Sequence, residues 1–239
     1  MTISLSLLMS RPRHRGFTLV ELLVVIVIIA LLIAIPMPTL QRVRQTAGAV
    51  HCAVNLRQWA GAVNAFALDN QGELPRRGQG WQPTSMIVRT ADWFNALPPY
   101  LSSASYYELV QQNRMPIPPG LSVWNCGQST YNGSRYHFSY AMNMWLSTWF
   151  SAYPDNIYRV GPTSSMVFMA DAPGEYSAVL PAAKPYSPVA RHLGSLNIAF
   201  LDGHVARFPA EEAGVDRGIP ERQDMRWRVP DSPWPGPPQ

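Results

Sequence analysis

The usual signatures of catalysis are missing from this 239-residue chain. Gly-x-Ser-x-Gly does not occur, so the sharp turn that presents a serine nucleophile is not encoded. No glycine-rich loop follows a strand where it could cradle a phosphate. No run of acidic side chains has the spacing of a calcium loop. Low-complexity segments and internal repeats are absent, and charged residues make up only 14% of the chain, so a solvated, disordered stalk is not its general character. Cysteine is scarce too: Cys52 and Cys126 are the whole complement. Acidic residues are wholly missing from the first twenty positions, where Arg11, Arg13 and Arg15 stand.

What is present begins just after those arginines. From Phe17 to Ile35 every residue except Thr18 and Glu21 is apolar. At about 1.5 Å per residue the run spans roughly 28 Å, close to the hydrocarbon thickness of a bilayer. Residues 17–35 are therefore expected to form a transmembrane helix. Positive charge ahead of it keeps the amino terminus cytoplasmic and sends the rest of the chain across. An ordinary secretory signal would be followed by a small-x-small cleavage site, and none directly follows this run. Glu21 is the anomaly, because a carboxylate near mid-membrane costs on the order of 2–4 kcal/mol. Cleavage after Gly16 would put a new ammonium on Phe17, one helical turn from Glu21. That pair could form within one chain or between neighbours, and the second arrangement sets a stagger for packed helices.

The segment Arg15-Gly16-Phe17-Thr18-Leu19-Val20-Glu21-Leu22 resembles the class III signal of type IV pilins and type II secretion pseudopilins. The resemblance implies cleavage between Gly16 and Phe17 by a prepilin peptidase, which then methylates the amine of Phe17. It implies an inner-membrane subunit whose partners are that peptidase/methyltransferase, the membrane, and other pilin or pseudopilin subunits packed through the amino-terminal helix. It also implies an α+β fold, a long amino-terminal helix (transmembrane, then amphipathic) packed on an antiparallel β-sheet. Removing residues 1–16 lowers the formal charge from +4 to +1, so the basic balance belongs partly to the leader and gives no reason to expect nucleic acid.

Beyond the apolar run, Pro36 and Pro38 predict a kink or short break, and residues 36–72 an amphipathic continuation of the helix. Leu40, Val43, Ala47, Val50 and Val54 form one stripe; Leu56, Ala60, Val63 and Ala67 form an adjoining one. Asp69-Asn70-Gln71-Gly72 is a stop, with Gly72 suited to the left-handed cap. Residues 73–208 then read as an extracytoplasmic β-rich domain. Its first half is broken by proline, with a short helix across Ser102–Asn113 and a short strand over Ser122–Cys126. Tyr136–Trp145 alternates as a half-buried strand, with His137, Ser139 and Asn143 on its second face. Ser165–Ala170 is a more central strand ending at Asp171. Ser195–Phe208 is a hairpin about Asp202-Gly203, for which a type I′ turn is expected. Residues 209–239 hold seven prolines and few aliphatics, and predict a mostly disordered tail in which Trp227 and Trp234 could dock.

His192, nine intervening residues and Asp202-Gly203 resemble the prepilin-type processing-associated H-X9-DG domain, as do Asn55-Leu56-Arg57-Gln58 and the segment from Asp69 to Pro75. That family usually has proline after the residue matching Cys126, where this chain has Gly127. On the far side of the membrane Cys52 and Cys126 could form a disulfide or remain two buried thiols; spacing does not decide. Asp171, His192 and His204, with Asp202, are candidate metal ligands by residue type, but a structural role fits their spacing better and no metal or cofactor is expected. The chain thus reads as a structural subunit of a pilus-like filament or secretion pseudopilus, not an enzyme. A membrane-tethered binding module that uses the same anchor without polymerising is the alternative.

Overall fold

The structure, a computed structural model, describes residues 17–78, 85–120, 122–146, 155–181, 185–220 and 222–229. The chain divides into two units at Val43 and Arg44. In the first unit, helix α1 (Leu19–Ala34) opens with a capping box. Glu21 N donates to Thr18 Oγ1 at 3.2 Å, while Glu21 Oε2 accepts from Thr18 N at 2.9 Å. Every residue of α1 is exposed, although it is the most apolar element in the protein. A turn at Ile35–Pro36 separates it from α2 (Met37–Asp69), the break expected of the two prolines.

The second unit is built on α2 from Arg44 onward and on a five-stranded sheet. The strands are β1 (Phe138–Asn143), β2 (Val167–Gly174), β3 (Ala178–Val179), β4 (Ser195–Phe200) and β5 (Val205–Pro209). Their order is β3-β1-β2-β4-β5, with β2 central as expected. The sheet is mixed: β3 runs parallel to β1, and every other neighbour is antiparallel. The architecture is α+β, a long amino-terminal helix with a sheet, consistent with a pilin-like fold.

The face of α2 that enters the core is Ala49, Cys52, Asn55, Leu56, Trp59, Ala60, Ala62, Val63 and Ala67. The second predicted stripe is thus buried. The first is not, since Leu40, Val43, Ala47, Val50 and Val54 are all exposed. Burial follows Trp59, whose ring packs 5.2 Å from Trp93 and 4.8 Å from Trp124, extending to Phe94, Tyr106 and Phe138. Two short helices, α3 (Trp93–Ala96) and α4 (Tyr106–Gln111), deliver Trp93, Phe94 and Tyr106. The helix stops where expected, but the left-handed positions are shared: Gln71 has φ 55° and Gly72 φ 86°. Gly72 N reaches back to Ala67 O at 2.7 Å, which makes Gln71 the first left-handed residue past the helix.

Four local expectations are corrected. Ser122–Cys126 is a turn, because its carbonyls serve α2 and not a neighbouring strand: Asn55 Nδ2 bonds Ser122 O and Asn125 O, and Trp59 Nε1 bonds Val123 O. Strand β1 is buried on both faces, so Ser139 and Asn143 are interior. Strand β2 continues past Asp171 to Gly174. The segment after β5 is packed, not disordered, as far as it is described. Met225, Trp227 and Val229 are buried, Arg226 N bonds Ser165 O at 2.7 Å, and Asn143 Nδ2 bonds Trp227 O at 2.8 Å. Trp234 and the rest of residues 230–239 lie outside the described residues.

Candidate functional site

Two places hold the residues singled out from the sequence. The first is the start of α1. Gly16 lies outside the described residues, and Phe17 is exposed just before the helix. Glu21 is the third residue of α1, and its carboxylate turns back to Thr18, accepting from both its N–H and its hydroxyl (2.9 and 2.8 Å). A carboxylate in an apolar helix therefore has partners before any cleavage. It also already points at the helix amino terminus, one residue from the nitrogen that cleavage at Gly16–Phe17 would free. The helix dipole favours negative charge at that end.

The second place is the hairpin and its approach. His192 N bonds Ser195 O at 2.9 Å and Ser195 N bonds His192 O at 3.1 Å, closing a two-residue turn over Leu193 (φ 55°) and Gly194 (φ 75°). Two successive positive φ values are the mark of a type I′ turn, so that geometry occurs here and not at Asp202-Gly203. At the latter only Gly203 has positive φ (96°). Gly203 N bonds Phe200 O and Phe200 N bonds His204 O, a three-residue loop with a glycine bulge. Asp202 is the turn former expected of it, accepting from His204 N at 3.0 Å and meeting His204 Nδ1 at 2.6 Å. His204 stacks on Phe200. His192 and Asp202-Gly203 thus stand at opposite ends of β4, about 20 Å apart for a six-residue strand. They do not form one site.

His192 does meet Asp171. Its Nε2 lies 3.2 Å from Asp171 Oδ2, and both side chains are fully buried. Asp171 Oδ2 also accepts from Asn197 N at 2.9 Å, and Asn197 Nδ2 ties β4 to Ala49 O of α2. Cys126 Sγ is 3.7 Å from His192 Nε2, and Cys52 and Cys126 are joined as a disulfide with Cα atoms 5.1 Å apart. On the other side of the ring, His192 Nδ1 meets Gln128 Oε1, while Gln128 Nε2 donates to Gln45 O at 2.8 Å. The His192 carbonyl accepts from Arg207, and Arg191 caps the carbonyls of Ser139 and Ala172. Of the candidate metal ligands, Asp171 and His192 come together beside the two sulfurs, and exposed His204 stays with Asp202.

Sequence reasoning gave no role of their own to Asn55, Gln128, Asn197 and Arg191. Asn55 left a trace: it falls on the same helical face as Cys52 and Trp59, where a polar side chain must find buried partners. The others carry no local signal, because their partners are far away in sequence. A second buried histidine, His137, lies within 3.2 Å of Ser129 and 3.3 Å of Ser139. Burial, with Arg191 nearby, pushes it down to about 4, so it stays neutral at neutral pH.

A family model described as the prokaryotic N-terminal methylation motif matches residues 11–35, the stretch that contains Gly16, Phe17 and Glu21. No curated protein and no solved structure matches the chain. The motif supports a type IV pilin-like precursor that prepilin peptidase processes, and the apolar helix near the amino terminus fits anchoring in the inner membrane.

Proposed function

We propose that the protein is a structural subunit, cut between Gly16 and Phe17, methylated on the Phe17 amine, and assembled into a type IV pilus-like filament or a type II secretion pseudopilus. It is the substrate of its processing enzyme and not itself an enzyme. The observation that carries the reading is the methylation motif over residues 11–35 with Glu21 folded back on the start of α1. After cleavage the Phe17 ammonium replaces a backbone amide beside that carboxylate. Glu21 then neutralises the amine of its own chain or of a neighbour, and the second arrangement fixes the register between subunits. Residues 17–35 hold the subunit in the membrane with its amino terminus cytoplasmic, and the domain carrying the disulfide lies on the oxidising side. Exposed apolar positions along the helices, Val24 and Leu31 on α1 and Leu40, Val43, Val50 and Val54 on α2, favour lateral packing of helices. The nine-residue spacing from His192 to Asp202-Gly203 supports a place among H-X9-DG proteins.

The amino-terminal mass of the protein purified from its native membrane tests processing. A chain starting at Phe17 and heavier by one methyl group is expected; an intact leader would overturn the reading. Assembly is tested with Glu21→Ala, which should be processed normally yet be missing from sheared surface filaments. Normal filaments from that variant would sink the register argument. A wild-type chain that is processed but never sheds with filaments would instead be a tethered binding module.

A further inference from the structure

The buried cluster at His192 has more ligand atoms than a disulfide needs. Cys52 Sγ, Cys126 Sγ and a ring nitrogen of His192 all lie within 4.8 Å of one another, and Asp171 Oδ2 is 3.2 Å from His192 Nε2. Asp171 Oδ1 is buried with no hydrogen-bond partner among the described residues. An unpaired carboxylate oxygen in a closed core is costly and calls for a cation or a donor.

Gln128 decides which. Its amide N–H₂ is committed to Gln45 O, so its Oε1 must face His192 Nδ1. Flipping the amide would set two oxygens against each other. Nδ1 is therefore the proton-bearing nitrogen, and Nε2 turns toward Asp171 Oδ2 and Cys126 Sγ. An imidazole whose far N–H is held by an amide oxygen is oriented as metal-bound histidines are. With the disulfide formed, Nε2 and the carboxylate oxygen face each other at 3.2 Å. With two thiolates in place of the disulfide, the pocket offers two sulfurs, one imidazole nitrogen and one carboxylate oxygen, a four-ligand set that suits zinc.

We propose that the dithiol form of this protein binds one zinc-type divalent cation through Cys52, Cys126, His192 and Asp171. The disulfide staples α2 to the turn at Cys126; the metal joins those two segments to β2 and the approach to β4 as well. The chemistry balances. An external dithiol reduces the Cys52–Cys126 bond by exchange and leaves as its own disulfide. Each cysteine then holds a thiol proton. Metal binding releases both of these, and the Nε2 proton where the ring carries one. In reverse, a disulfide-bearing oxidant accepts the two electrons, the sulfurs rejoin and the metal leaves.

The experiment uses the whole chain in detergent micelles, reduced with a phosphine and titrated with Co²⁺. One equivalent should give a thiolate-to-cobalt band and the visible bands of a tetrahedral ion, which Zn²⁺ displaces. The oxidised chain should give neither. Asp171→Asn should weaken binding by at least the roughly 10- to 100-fold that losing an outer-shell partner costs, while leaving the two-thiolate charge-transfer band. The double variant Cys52→Ser, Cys126→Ser should abolish both bands. If the reduced chain loses its near-UV circular dichroism, Zn²⁺ should restore it. A reduced chain that neither binds Co²⁺ nor regains structure with Zn²⁺ overturns the proposal. So does a cobalt spectrum and affinity unchanged by Asp171→Asn and by His192→Gln.

Discussion

Trp227→Ala tests whether the carboxy-terminal stretch belongs to the folded core. The indole is fully buried, and its segment runs alongside Ser165–Val167. A buried tryptophan removes on the order of 150–250 Å² from water, worth roughly 4–6 kcal/mol at ~25 cal/mol per Å². Alanine keeps a little of that, so the expected loss is about 3–5 kcal/mol. The hydrogen-bond contribution is small, since Nε1 donates only to Met225 Sδ and the backbone bond from Asn143 survives the change. With a urea dependence of ~2–3 kcal/mol per molar, the unfolding midpoint of the whole chain in micelles should fall by about 1–2 M with an unchanged slope. Arg228→Ala is the control. Its guanidinium sits 4.5 Å over the Trp145 ring, a contact worth ~1 kcal/mol or less. A midpoint shift for Trp227→Ala no larger than that of the control would show that residues 222–229 add nothing to the core.

Three further outcomes follow from particular contacts. His137 and Asp92 make opposite contributions below neutrality: burial pushes His137 down to about 4 and, despite Arg89, pushes Asp92 up to about 6. The unfolded chain binds the His137 proton first, so that contribution is lost as pH falls from about 6.5 toward 4; the folded chain binds the Asp92 proton first, so that one is gained as pH falls from about 6. The two nearly cancel between pH 6 and 4 in the wild type, whereas His137→Asn should gain up to about 3 kcal/mol over that range, read by urea unfolding at each pH; a flat profile for the variant would contradict the assignment. Paired Cys52→Ser, Cys126→Ser substitution opens a loop with a sequence separation of 74 and should cost about 4 kcal/mol on the chain-entropy account, read as a lower unfolding midpoint than that of the oxidised wild type. Leu193→Asn should stabilise by about 0.5–1 kcal/mol, because Leu193 is exposed at φ 55° and asparagine tolerates that conformation, and a thermal midpoint at or below wild type would count against it.

What could be read from the chain alone was whatever its signal kept local. The apolar run, the break at Pro36, the second stripe of α2, the stop after Asp69 and the β4–β5 hairpin all declare themselves within a few residues, by periodicity or by turn chemistry. The first stripe misled because its spacing is correct but none of the described residues covers it; period alone cannot distinguish a core face from an exposed apolar face. The tail misled in the opposite direction. Its prolines and arginines lower the average hydropathy, yet Met225, Trp227 and Val229 alternate with Arg226 and Arg228 at the period of a strand. The turn at Ser122–Cys126 could not be foreseen, since it depends on Asn55 and Trp59 some seventy residues away.

The site shows the same division. Cys52, Cys126, Asp171 and His192 come from four separate segments, and no spacing among them resembles a ligand motif. The spacing that does catch the eye, nine residues from His192 to Asp202-Gly203, measures β4 instead. It is the two-residue turn, the six residues of the strand and Leu201. Its two ends do different work. Asp202-Gly203 reverses the chain at the surface, while His192 is turned inward by the left-handed pair at Leu193 and Gly194. The length matters because the side-chain period of a strand is two. A strand one residue longer or shorter between fixed ends would carry Asn197 to the opposite face, away from Ala49. Its backbone N–H would leave Asp171 as well, stripping that carboxylate of its backbone donor. The nine-residue spacing thus acts as a ruler that delivers His192 and Asn197 to Asp171. The chemistry of the cluster depends on that register being kept.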